Sequence, residues 1–209
     1  MKLVLLDKEL VERFQAGERA AFDELARRHY ARAYAVAYRM LGDADLAADA
    51  VQASFVRAYR GLASYRQTAA FSTWLYRIVV NVCLDLSRRG YRVKTVSLDS
   101  DDRDECLGVG ETLADDSGTP EDALMRRERV QAVQAALLEL APHFRAVLVL
   151  YELEGLAYED VARVLGVPVG TVKSRLNRAR AAFAERFSAQ LELFDIASGQ
   201  TSGADKDGI

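Results

Sequence analysis

With 209 residues, half of them hydrophobic, the chain has room for one domain or two small ones and enough apolar surface to bury a real core. A net charge of −3 argues against a protein that coats nucleic acid over its whole surface, while leaving room for a confined basic site. Proline is scarce and alanine, leucine and arginine are abundant, which favours helices over strands.

In chain order, the first apolar run, "LVLL" at residues 3–6, is stopped by Asp7 and is too short for a signal peptide. No stretch approaches the length of a membrane span, so no membrane insertion and a cytoplasmic location are expected. From residue 8 the apolar spacing is helical. Phe22, Leu25, Tyr30, Ala33, Ala37 and Leu41 fall mainly three to four apart and predict one buried face, closed by Gly42. "DADLAADAVQASFVRAYRGL" starts a second helix with acids in its first turn, lined on one side by Leu46, Ala50, Val51, Phe55 and Tyr59. Gly61 and "ASYRQTAA" predict a loop. "FSTWLYRIVVNVCLDLSRRG" predicts a third helix ending at Arg88, Arg89 and Gly90. Cys83 and Cys106 lie far apart without a CxxC or CxxxH neighbour, which speaks against a disulfide framework or zinc site and for a reduced cytosol.

Composition then changes abruptly. Between Ser97 and Ala123 ten acids face one base, Arg103, with Gly108, Gly110, Gly118 and Pro120 among them. That composition predicts an extended, poorly ordered tether. Helical pattern returns from about Glu121 to Leu140, breaks at "APHF", resumes in "FRAVLVLYELEG" and continues in "AYEDVARVLGVPVGTVKSRLNRARAAFAERF". The tail from residue 188 ends in "SGQTSGADKDG" and reads as disordered. No internal repeat is found. The predicted fold is all-α, with two small helical domains at 8–92 and 123–187, an acidic linker at 93–122 and a tail at 188–209.

The C-terminal half has a helix–turn–helix pattern. Val161, Ala162 and Leu165 give its first helix an apolar face, with Gly166 at the end. Pro168 and Gly170 fit poorly inside a helix and predict a turn, with Gly170 or Thr171 capping the next helix. There Val172, Leu176, Ala179 and Phe183 recur at i, i+4, i+7 and i+11 and face inward, so Lys173, Ser174, Asn177, Arg178 and Arg180 face outward. From Arg163 to Arg186 six bases stand against Glu185 alone. A second helix of this motif lies in the major groove, where Lys and Arg meet guanine acceptors or phosphates and Ser and Asn serve several bases. An Arg-rich face alone would be a solvated surface; the Gly-x-Pro turn and the inward stripe make it a reader.

Residues 57–92 hold seven arginines, one acid (Asp85) and the rings of Tyr59, Tyr65, Phe71, Trp74, Tyr76 and Tyr91. Rings that stack bases, interleaved with cations that hold phosphates, suit single-stranded DNA. Core packing is the competing reading: Phe71, Leu75, Ile78, Val79 and Val82 have core spacing, and for Trp74 packing is favoured over nucleic acid. Arg77, Asn81 and Arg88 fall on the polar face and are DNA or partner contacts.

The run from "DADLAADAVQASFVRAYRGL" through "FSTWLYRIVVNVCLDLSRR", the acidic segment and "YEDVARVLGVPVGTVKSRLNRARAAF" resembles the extracytoplasmic-function (ECF) bacterial sigma factors over roughly residues 8–187. The resemblance implies that the first domain (region two of the family) binds the β′ clamp coiled coil of core RNA polymerase and melts the −10 promoter element. Its clamp-binding helix matches 43–60, making Asp49, Gln52, Phe55 and Arg57 candidate contacts. The family often has Glu directly after the Gln; Ala53 stands here, which implies a weaker or differently arranged clamp contact.

By the same resemblance the −10 readers match the loop at about 62–70 and the helix from Phe71, with Asn81 near a flipped base, so the −10 set is Tyr65, Phe71, Trp74, Arg77, Asn81 and Arg88. The second domain (region four) is expected at the β flap, reading the −35 element as duplex through Thr171, Lys173, Ser174, Arg175, Asn177 and Arg178. The linker, in the family, threads toward the active-site and RNA-exit channels, where ten acids would mimic a polyanion; a solvated spacer explains them equally well. An anti-sigma protein is a further partner that the resemblance admits and no motif identifies.

Two other classes compete. A stand-alone helix–turn–helix regulator accounts for residues 156–187 but leaves the basic, aromatic helix at 71–91 without a task. An enzyme finds little support: His29 and His143 are the only histidines, neither has a His or Cys three or four residues away, and no P-loop, nucleophile elbow or HExxH occurs. No catalytic residue, metal or cofactor is expected.

Overall fold

The computed structural model describes the backbone of residues 6–94 and 120–201. Most of the acidic linker lies outside them, and so do residues 202–209. All elements among the described residues are helical. Helix α1 (Asp7–Gln15) carries Asp7 and Glu9 in its first turn, where they complement the helix dipole. Helix α2 (Ala20–Leu41) buries Leu25, Ala33, Val36, Ala37 and Met40. Its small residues let α3 (Ala44–Leu62) and α4 (Phe71–Lys94) pack closely, and α1 lies along α2. Asp43 caps α3 by accepting the Leu46 N–H at 2.7 Å. The stop expected at Gly90 is not a stop: α4 continues to Lys94.

The second half comprises α5 (Pro120–Leu138), α6 (Pro142–Leu148), a π-helical turn (Val149–Leu153), α7 (Tyr158–Leu165) and α8 (Val169–Thr201). The break before α6 is shorter than expected, because Pro142 occupies the first turn of the helix rather than interrupting it. Gly166 ends α7 in the left-handed region at φ +65°. The next helix starts earlier than the expected caps: Gly170 and Thr171 lie inside α8, and the Pro168 carbonyl accepts the N–H groups of Thr171 and Val172. Residues 188–201, expected as a disordered tail, extend α8. Phe183 stacks on Phe187 at 5.6 Å, and Glu139, just after α5, takes Gln190 Nε2 at 2.7 Å and Arg186 at 3.7 Å.

The two halves share one continuous core. Gly42 holds φ +76°, which favours glycine there, and the Leu138 side chain lies where a side chain at Gly42 would sit. The Arg145 guanidinium, in a residue only 7% exposed, donates to the carbonyls of Met40 on α2 and of Leu137, Leu138 and Leu140 around the end of α5. Helix C-termini leave such carbonyls without partners, and a cation suits their dipoles. Burial without a carboxylate nearby pulls the Arg145 pKa below its usual value.

Candidate nucleic-acid and polymerase surfaces

On α8 the inward stripe is as expected: Val172, Leu176 and Ala179 are buried and Phe183 is half-buried. Lys173, Ser174, Asn177, Arg178 and Arg180 face solvent. Thr171 and Arg175 are half-buried at the margin of this face, and the Ser174 hydroxyl donates to the Thr171 carbonyl at 3.0 Å. Burial, and then the charge of Arg175, lower the pKa of His143, which favours its neutral form. Two rings missed in the sequence support this face. Tyr158 stacks on Tyr151 at 4.7 Å, Lys173 Nζ lies 5.4 Å from the Tyr158 centroid, and Arg180 lies 5.6 Å from that of Tyr151. Arg180 also pairs with Glu152 at 2.6 Å. An exposed cation–π contact contributes about 0.5–1 kcal/mol, enough to bias where a lysine points.

The −10 candidates divide into two groups. Tyr65 and Phe71 are 8% and 4% exposed: they are core residues, not free stacking surfaces. Trp74 is half-buried, stacked on Tyr65 at 4.7 Å and close to the Gly61 backbone. Arg77, Asn81 and Arg88 form an exposed stripe one and two turns apart along α4. The loop between α3 and α4 lies beside the ring cluster, with Gln67 at φ +52°.

Of the polymerase candidates, Asp49, Gln52 and Phe55 line one groove of about 1140 Å³ between α2 and α3, with Phe22, Tyr30 and Tyr59. Arg57 faces a smaller hollow between α3 and α4, beside Asp49, Ala53 and Asp85. Three residues depart from the expected buried faces. Tyr30 (49% exposed), Leu46 and Tyr59 are open to solvent, the first and last because they line the groove. Tyr30 is also a rung of a ladder in which Tyr38, Tyr34, Tyr30 and Phe55 stack at 6.2–6.4 Å between neighbouring rings. Its tyrosines stand four residues apart, a signal present in the sequence that the core spacing, which includes only Tyr30, passes over.

A polar seam joins the two halves. Glu154, whose side chain is 8% exposed, accepts from Arg39 at 3.0 Å and from the Tyr76 hydroxyl at 2.9 Å. Burial first, then Glu154, push the Tyr76 phenol above its usual pKa, so it stays a donor. Thr73 on α4 reaches Asp160 on α7 at 3.5 Å, and α7 packs directly on α4. Among the described residues no cluster of His, Cys, Asp or Glu is arranged to hold a metal, and no helix is long and apolar enough to cross a membrane.

Comparison with known proteins agrees with this arrangement. Residues 25–93 match the sigma-70 region 2 family and residues 130–183 match sigma-70 region 4. The chain is 39% identical over 177 residues to the RNA polymerase sigma-H factor of Pseudomonas aeruginosa, covering 84% of this chain and 91% of that one. It is 38% identical over 179 residues to the ECF RNA polymerase sigma-E factor of Escherichia coli, covering 85% and 92%. Among solved structures, CnrH in complex with the cytosolic domain of CnrY is similar, with TM-score 0.59, 28% identity and coverage of 88% and 97%. RpoE from Bartonella quintana, solved with the anti-sigma factor NepR, shares the fold at TM-score 0.61 and 24% identity, covering 80% and 96%. With both regions matched in order, and relatives this similar over nearly their full length, the chain belongs to the ECF family of RNA polymerase sigma factors.

Proposed function

We propose that this sigma factor engages core RNA polymerase through the α2–α3 groove, reads the −10 element as a single strand on α4 and its preceding loop, and reads the −35 element as duplex on α8. The observation that carries this reading is the presence of two separate exposed polar readers on one chain: Arg77, Asn81 and Arg88 on α4, and Lys173, Ser174, Asn177 and Arg178 on α8. A lone duplex-binding regulator needs only the second.

The burial pattern supports a division of tasks within the −10 set. Tyr65 and Phe71 build the wall beside which an extruded base would sit, Trp74 offers a partly exposed ring, and the α4 stripe holds phosphates or base edges. Melting then needs no hydrolysis, because capture of a base offsets unstacking, which costs a few kcal/mol. In the groove, Phe55 and the tyrosine rings supply apolar area, and Asp49 and Gln52 supply the polar rim that fixes register.

Both elements cannot be read in the arrangement described. The two promoter elements stand roughly 25 base pairs apart, about 85 Å at about 3.4 Å per base pair. Here α7, the first helix of the duplex reader, touches α4, and packed helices lie only about 10 Å apart. Promoter engagement therefore requires the Glu154 seam to part, and polymerase binding would hold the halves apart. This also fits a net negative chain that does not bind DNA indiscriminately by itself.

Replacing Phe55 with Ala is expected to weaken affinity for core polymerase by about 10- to 100-fold, the loss of an interface anchor, with the fold retained. Titration of labelled chain against core polymerase measures this. Unchanged affinity would remove the groove from the polymerase interface. A gel shift in which the free chain binds promoter duplex as tightly as the holoenzyme would favour the stand-alone regulator instead.

A further inference from the structure

Helix α1 lies outside both matched regions, yet its last residue reaches the loop assigned to −10 capture. Gln15 Nε2 is 3.0 Å from the Leu62 carbonyl and 2.8 Å from the Tyr65 carbonyl, one at the end of α3 and one in the loop. Both partners are acceptors, so the group between them must be the amide NH2, with each hydrogen given to one carbonyl. A single side chain thus fixes the spacing between the end of α3 and the backbone of Tyr65.

What Tyr65 then holds makes that spacing consequential. Its hydroxyl donates to the Ala69 carbonyl at 2.5 Å, tying the far end of the loop. Its ring stacks on Trp74 at 4.7 Å and meets Phe71 edge-on at 6.5 Å. Between these two ties Gln67 adopts φ +52°, a conformation that non-glycine residues rarely take and that surroundings must maintain. The platform under Gln15 is itself fixed: Phe14 packs on Phe22 and Tyr59 at 5.9 and 5.3 Å, and Asp7 meets His29 Nε2 at 2.7 Å.

We infer that Gln15 is a positioning residue for −10 recognition, its amide holding the 63–70 loop and the Tyr65–Trp74 pair in the shape that receives an extruded base. This rests on the −10 assignment given above. The amide touches protein only; it acts by sparing the loop the ordering cost of binding.

The test uses Gln15→Met, which keeps length and helix propensity but has no donor. Trp74 is the only tryptophan in the chain, so its emission reports on the stack directly. In the free full-length variant Trp74 should become more accessible to acrylamide, while the melting temperature falls by no more than a few degrees. Holoenzyme made with the variant should bind a pool of short single strands of randomised sequence about three- to tenfold more weakly than wild type, the scale of one or two net hydrogen bonds. Its affinity for core polymerase should be unchanged. Wild-type and variant holoenzymes that bind the pool equally would overturn the positioning role and leave the −10 assignment standing. A wild-type holoenzyme that fails to retain any strand from the pool would overturn that assignment, and the role of Gln15 with it.

Discussion

Replacing Arg145 with Met is expected to destabilise the protein by about 3–5 kcal/mol, because the carbonyls that its guanidinium serves lose their partner. The substitution keeps the aliphatic length and removes every donor. Four carbonyls, those of Met40, Leu137, Leu138 and Leu140, then lose their partner inside the fold. Each buried acceptor left unsatisfied costs about 1–3 kcal/mol, partly recovered because no guanidinium remains to be desolvated. Urea unfolding followed by circular dichroism measures the loss. Because the Met40 contact crosses from the second half to the first, the variant should also unfold less cooperatively, with the two halves separating in the transition. A loss below about 1 kcal/mol, within the range of an ordinary surface substitution, would show that water replaces the guanidinium without penalty.

The largest expected effect on recognition comes from Arg175→Ala combined with Arg178→Ala. A base-specific contact is worth about 1–3 kcal/mol, so the Arg175 variant alone should lose roughly 5- to 150-fold in affinity of the holoenzyme for its −35 duplex. The two side chains differ in position, and their signatures should differ. Arg178 faces solvent on the outer face of α8, where a phosphate contact weakens all sequences alike and lowers the salt slope by about one. Arg175 is half-buried close to His143, a restrained position from which a base contact is specific; its loss should relax the choice at one base pair. Binding to duplexes carrying single substitutions, measured at several salt concentrations, separates the two. Their proximity on one helix face means that the double variant will fall short of the sum.

Much of the architecture is legible in the sequence because helical periodicity reports which side of each helix is dry. Val172, Leu176 and Ala179 are buried and Lys173, Asn177 and Arg178 are exposed, as their spacing demands. The same rule misleads at the groove. Tyr30 and Tyr59 have core spacing, but they border the groove between α2 and α3 and stay in solvent. Composition misleads in the opposite sense near α4. Interleaved rings and arginines suggested stacking surfaces, yet Tyr65 and Phe71 are buried while Arg77, Arg88 and Asn81 are exposed, because rings satisfy a core before they satisfy a ligand. Glycine at 90 and the polar tail from 188 looked like helix ends; neither interrupts the backbone, and for α8 the contacts of Phe187 and Gln190 supply the reason.

What periodicity does not carry is pairing at long range. Arg39 with Glu154, Tyr76 with Glu154, Arg145 with the Met40 carbonyl and Gln15 with the Tyr65 carbonyl each join residues at least 50 positions apart. Nothing local marks Glu154 as different from other acids on helix surfaces. These contacts set the relation between the two halves and the shape of the loop before α4, so the sequence shows the exposed faces while the structure shows how they are held.

The central claim is that this chain confers promoter choice on a polymerase that lacks it. Run-off transcription from a pool of promoter fragments, using core polymerase with and without the chain, tests it most directly. The account predicts defined transcripts from a restricted set of fragments only when the chain is present, and their loss in the Arg175→Ala, Arg178→Ala variant. Transcripts that are the same with and without the chain would contradict it.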